Sequence, residues 1–153
     1  MTRPQPEPAA GSWSPAQRFA LLFGVVYLLV GAAGFAVTGV HDFAGMHHQK
    51  LLIFAVNPLH NVVHLVLALV WLASVARHRT ARVANVTVGV LFGLVTALGF
   101  FGGMGMLGMS GLADPDNFLH LATATLALYF GTAAAESSRA AEEFPADEPE
   151  PVL

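Results

Sequence analysis

Two short stretches carry the residues whose types and spacing suit chemistry. Asn57-Pro58-Leu59-His60-Asn61-Val62-Val63-His64-Leu65 and Asp114-Pro115-Asp116-Asn117-Phe118-Leu119-His120-Leu121 both hold an Asx-Pro pair and then N-x-x-H-L. A neutral imidazole is a ligand for haem iron or a transition metal. His64 and His120 therefore read as opposed ligands for haem b or a metal ion, with Asn61 and Asn117 supporting them by hydrogen bonds. His60, four residues before His64, shares its helical face. The same residues suit two other roles. Neutral His and Asn side chains can hydrogen-bond between helices and pin a bundle, or they can form a polar seam for protons or a small solute. No acidic residue falls deep within an apolar run, which weighs against a proton relay.

A second group surrounds these stretches: His41, Met46, His47 and His48 in one loop, and Met104, Met106 and Met109 in a glycine-rich run over 101–111. Imidazole and thioether both bind Cu(I), so a copper-handling surface is one reading. The other is that the methionines fill gaps, as methionine commonly does, since the glycine-rich run has no fixed ligand spacing.

The elements that must position these residues follow from composition. The 153 residues are 55% hydrophobic and only 11% charged, with a mean hydropathy of +0.61, where a soluble domain carries about 25% charged residues. Charges gather at the ends and in one central cluster, leaving uncharged runs near the roughly 20 residues that cross a bilayer. The expected fold is an all-α membrane protein of four transmembrane helices, over about 19–37, 58–76, 83–107 and 115–135. The first run exceeds the apolar core of a signal sequence and reads as an anchor. Residues 1–15, with four prolines, read as a disordered lead, and the acidic 136–153 as a disordered tail. Asn57-Pro58 and Asp114-Pro115 read as helix starts, the Asx capping free N–H groups and proline needing none. The run 51–56 is too short to span and is expected at the interface or across the bundle mouth.

Arg3, Arg18, Arg77, Arg79, Arg82 and Arg139 fall on one side of four spans, with Lys50 alone opposite. The positive-inside rule then puts both termini and the arginine loop in the cytoplasm of a multi-pass, bacterial inner-membrane protein. Trp13, Trp71 and Tyr129 are placed as interfacial anchors.

The two motif stretches also make a repeat. Gly24, Tyr27, Gly34 and Phe35 of the first run align with Gly89, Phe92, Gly99 and Phe100 of the third. Two parallel pseudo-repeated hairpins in an up-and-down bundle would follow, related by an axis along the membrane normal. His64 and His120 then lie at nearly equal depth, roughly 8 to 9 Å below their helix starts. On the face of His120, the stripe Ala124, Ala127 and Gly131 permits close helix approach, so His120 is expected to point inward.

Several functions are excluded or unsupported. Without cysteine there is no disulfide framework, thiolate zinc site or covalent haem attachment. No basic groove with aromatic platforms suggests nucleic acid. No Ser/His/Asp arrangement, H-E-x-x-H or phosphate loop appears, so the reading leans away from an enzyme.

On N-P-L-H-N-V-V-H-L (Asn57 to Leu65) and D-N-F-L-H-L (Asp116 to Leu121), the chain resembles a family of small bacterial four-helix membrane proteins, domain of unknown function 4383. The resemblance covers the four runs and omits both tails. It implies a four-span membrane protein and brings no reaction, substrate or cofactor. The expected function is a non-enzymatic structural or partner-binding component of the lipid bilayer, alone, with partner membrane proteins or as a homo-oligomer. The rival is a binder of haem, metal or a small ligand at the histidine pair, or a small-solute transporter along the polar seam.

Overall fold

The computed structural model describes residues 13–45, 49–109 and 111–132. The order is helix α1 (Pro15–Thr38), a minimal antiparallel hairpin of β1 (Lys50–Leu51) and β2 (Phe54–Ala55), helix α2 (Pro58–Ser74), helix α3 (His78–Phe100), a 3-10 turn (Gly105–Leu107) and helix α4 (Pro115–Gly131). The described chain is all-helical apart from that hairpin.

Each helix begins for a local reason. Asn57 Oδ1 accepts from the His60 N–H at 2.9 Å, Asp114 Oδ1 accepts from the Asp116 N–H at 3.1 Å, and proline follows each cap. Helix α1 starts four residues ahead of the expected 19, because Ser14 and Gln17 close a capping box with Pro15 as the first helical residue. Helix α3 starts at His78, inside the arginine cluster, and stops at Phe100, seven residues short of the expected 107. Gly102, at φ 75°, adopts a conformation that favours glycine and turns the chain away. The run 51–56 forms the hairpin, with Leu52 outward and Val56 buried. Residues 1–12 and 133–153, including the end of the fourth expected span, lie outside the described residues.

Helix α1 packs chiefly along α2 and α3 chiefly along α4, and α1 also touches α3 and α4. Glycines permit the pairings: Gly24 receives Leu72, and Gly89 receives Leu128 and the Ala124 carbonyl. Phe19, Tyr27, Trp71 and Phe92 pack together in the centre, edge-on, tilted or stacked. Trp71 Nε1 donates to Asn85 Oδ1 at 3.0 Å, and Asn85 Nδ2 donates to the Ala16 carbonyl at 3.1 Å. Trp71 is therefore a core residue, contrary to its expected interfacial place, whereas Tyr129 is exposed.

The burial pattern is inverted relative to a water-soluble domain. His60, Asn61, His64, Asn85, Thr96, Asn117, His120 and Thr123 are buried, while Leu22, Leu29, Leu69, Leu94 and Phe118 are more than half exposed. Two helices, α1 and α3, are long and apolar enough to cross a bilayer, at mean hydropathies of 2.3 and 2.0, with only 28% and 39% of those stretches buried inside the protein. A soluble core helix of such composition would hide most of its surface.

Candidate functional site: a buried histidine cluster

Helices α2 and α4 bring three imidazoles together in the interior. His60 and His64 lie one turn apart on α2, and His120 lies on α4. Ring centroids are 4.4 Å apart for His60 and His64, 5.8 Å for His60 and His120, and 6.0 Å for His64 and His120. All three residues are at most 2% exposed. Each offers a ring nitrogen within 4.8 Å of the others, the one grouping of His, Cys, Asp and Glu among the described residues that close together.

The aromatic core holds the rings in place. Tyr27 stands edge-on to His64 at 4.9 Å, and Phe92 lies against His120 at 4.8 Å. The Tyr27 hydroxyl bonds Thr123 Oγ1 at 2.9 Å, tying α1 to α4 one turn below His120. His60 Nδ1 faces the Ala55 carbonyl at 3.2 Å, so that nitrogen carries the proton and leaves the Nε2 lone pair turned inward. That lone pair accepts from His64 Nε2 at 3.1 Å.

The hydrogen-bond pattern is incomplete in a specific way. His64 Nδ1 and both nitrogens of His120 are buried without a partner. Leaving a buried polar atom unsatisfied costs about 1–3 kcal/mol, so these nitrogens suit an ion or a water. Asn61 Oδ1, Asn117 Oδ1, Thr96 Oγ1 and Asp116 Oδ2, also without a partner among the described residues, likewise suit a water or a donor. A tetrahedral ion with metal–nitrogen bonds of about 2.0–2.1 Å sets its ligands roughly 3.3 Å apart. The His60–His64 nitrogen spacing already meets this, and His120 needs to close by an ångström or so. An adjoining cavity of about 140 Å³, walled by Val63, Leu67, Leu91 and Val95 and met at the outer end by Leu107, holds a few waters at about 30 Å³ each. With the side chains placed as they are, a cavity of this size takes an ion or a few waters more readily than a porphyrin.

The other expected residues are placed differently. Asn61 Nδ2 donates to Thr38 Oγ1 at 3.0 Å, and Asn117 Nδ2 donates to the Gly111 carbonyl at 2.7 Å. Their Oδ1 atoms sit against Gly34 and Gly99, where a Cβ would collide with them. Asn61 thus bonds to the preceding helix and Asn117 to the loop before its own helix, each with its Oδ1 against a glycine of the preceding helix, and neither bonds an imidazole among the described residues. Ala124, Ala127 and Gly131 are buried as expected for the inward face of α4. Of the outer group, Met46, His47 and His48 lie outside the described residues. His41 is exposed, Met106 is exposed and Met104 is half-buried. Met109 is buried with its methyl against Gly99. Asn57 Nδ2 bridges the two outer loops, donating to the Gly45 and Met106 carbonyls at 3.2 and 2.9 Å.

One residue escaped the sequence reading. Asp116 is 1% exposed and sits four residues before His120, as His60 does before His64. The Ala55 backbone serves both, its carbonyl meeting His60 and its N–H the Asp116 carboxylate. The i, i+4 spacing of Asp116 and His120 was the available signal, masked because Asp116 also fits the first turn of a helix, where acidic residues are commonplace.

A family model, Domain of unknown function (DUF4383), matches residues 17–133, which hold α2, α3, α4, all but the first two residues of α1, and every residue of the cluster. No curated protein and no solved structure matches the chain.

Proposed function

The chain belongs to the DUF4383 family, and from that premise and the geometry above we propose that it is a four-span membrane protein that binds one transition-metal ion at His60, His64 and His120. The observation that carries this reading is the convergence of three fully buried imidazoles, three of whose nitrogens lack partners. Ionisable residues inside spanning segments are expensive and mark function by default. Three imidazoles suit zinc, copper, nickel or iron, and the absence of thiolate removes the strongest bias towards softer ions. The His60 Nδ1–H bond to the Ala55 carbonyl supplies the outer contact that orients a ligating imidazole. Metal loading replaces the proton shared by His60 and His64, and moves the His64 proton to its unpartnered Nδ1.

The membrane assignment rests on the inverted burial pattern and on the arginine asymmetry, which supports a cytoplasmic side for both termini. Helices α2 and α4, at 17 residues each, fall at the short end of the spanning range of about 17–25. Matched contacts support a parallel repeat of two hairpins: Gly24 with Leu72 and Gly89 with Leu128, Gly34 with Asn61 and Gly99 with Asn117, and Tyr27 with His64 and Phe92 with His120.

Equilibrium dialysis of the purified full chain against Zn²⁺, Co²⁺ and Cu⁺ tests the site. One ion per chain, lost on His64→Ala or His120→Ala, is expected. No binding, or binding that survives both substitutions, leaves a purely structural seam, the reading favoured by the direct His60–His64 hydrogen bond.

A further inference from the structure

At the opposite end from the histidines, the turn between α2 and α3 opens a groove of about 750 Å³. Arg77, Arg79 and Thr80 line it beside the turn, and Val70, Ala73 and Val83, on the outward faces of α2 and α3, line its apolar part. The two arginines differ from their neighbour Arg82, whose Nε donates to the Gly131 carbonyl at the end of α4 at 3.1 Å. Among the described residues, neither the Arg77 nor the Arg79 side chain has a hydrogen bond or ion pair, and both are exposed.

The turn that carries them is held in place. Gln17 Nε2 donates to the Val75 carbonyl at 2.8 Å, and Thr80 Oγ1 donates to the Ser74 carbonyl at 2.8 Å. His78 Nδ1 bonds Ser14 Oγ at 2.7 Å, which ties the start of α3 to the start of α1. Two cations thus stand on an anchored turn at the edge of an apolar trough.

We infer that this groove holds an anionic phospholipid of the cytoplasmic leaflet, its phosphate between Arg77 and Arg79 and an acyl chain along Val70, Ala73 and Val83. Charge complementarity selects the headgroup, since guanidinium groups match phosphate geometry and basic pockets between spanning helices on this side bind anionic headgroups. The apolar part selects a lipid over a free anion: it runs from the arginines towards the middle of α2 and α3, the path an acyl chain takes beside a spanning helix. The inference rests on the reading of the chain as a membrane protein and is independent of the metal site.

Native mass spectrometry of the full chain, released from nanodiscs of mixed phosphatidylglycerol and phosphatidylcholine, is the test. One phosphatidylglycerol retained per chain in preference to phosphatidylcholine is expected. Retention should fall about fivefold for Arg77→Gln or Arg79→Gln and about thirtyfold for the double variant. Arg18→Gln, on the same side of α1, should leave it unchanged. Val83→Trp fills the trough without altering charge and should also abolish retention. Equal retention of both lipids, or retention unaffected in the double variant and in Val83→Trp, overturns the inference. Displacement by inorganic phosphate at matched ionic strength would show a free-anion site and overturn it equally. Resistance to carbonate extraction from membranes reads the membrane assignment separately: a chain that stays in washed membranes yet retains no phosphatidylglycerol sinks the lipid site alone.

Discussion

At the scale of the residue, the central question is whether three histidines act as one unit. If His60, His64 and His120 share an ion, His64→Ala and His120→Ala should each abolish binding, and the double variant should be no worse, because residues acting as a unit are non-additive. If they only fill the interior, each loss should destabilise the protein by roughly 0.5 to 3 kcal/mol, as single substitutions do, and the losses should add. A denaturant series run with and without Zn²⁺ separates the two, since only a shared ion makes the stability depend on metal and on all three side chains at once. Asp116 makes a finer prediction. Three neutral imidazoles leave a divalent ion with its full charge in a poorly solvating interior, where charge is costly. The paired buried carboxyls at the start of α4, Asp114 and Asp116, offset part of it. Asp116→Asn should therefore weaken Co²⁺ and Zn²⁺ by about 10- to 100-fold, the usual effect of losing a supporting contact, and Cu⁺ distinctly less. Equal weakening of all three ions would leave Asp116 no electrostatic part.

At the scale of the element, each hairpin is clasped by one asparagine laid against one glycine of the preceding helix. Gly34→Ala and Gly99→Ala force a methyl group into the Asn61 and Asn117 carbonyls, and each should cost about 1–3 kcal/mol, as overpacking does. Adding Asn61→Ala to Gly34→Ala should recover part of that loss in a thermal series; no recovery would place the strain elsewhere. These clasps also mark what the sequence makes legible. Asx-Pro starts, the inward stripe of α4 and the nearness of His64 to His120 follow from spacing alone. The asparagine partners do not, because N-x-x-H says which residues share a face and not which helix packs against each position on it. The start of α1 was readable from Ser14 and Gln17, but the charge of Arg18 concealed it. The early end of α3 was hidden because glycines at 102 and 103 fit either a spanning helix or a turn. His60 was placed on the right face, whereas its bond to Ala55 depends on a two-residue hairpin that leaves no periodic signal.

At the scale of the whole molecule, a polar interior inside an apolar exterior agrees with the arginine asymmetry. Single cysteines in this cysteine-free chain test the orientation: Ser137→Cys should be labelled only from the cytoplasmic side, and Lys50→Cys only from outside. Reversed labelling would invert the topology and move the groove at Arg77 and Arg79 to the wrong leaflet. The central claim, an ion held by three imidazoles within the bilayer, is tested most directly by X-ray absorption at the zinc edge of the loaded protein. A first shell with three imidazole nitrogens at about 2.0–2.1 Å is expected, reduced to weak, heterogeneous scattering in the His64→Ala, His120→Ala double variant. A shell of oxygen or sulfur alone, or a spectrum identical in that variant, would contradict the account.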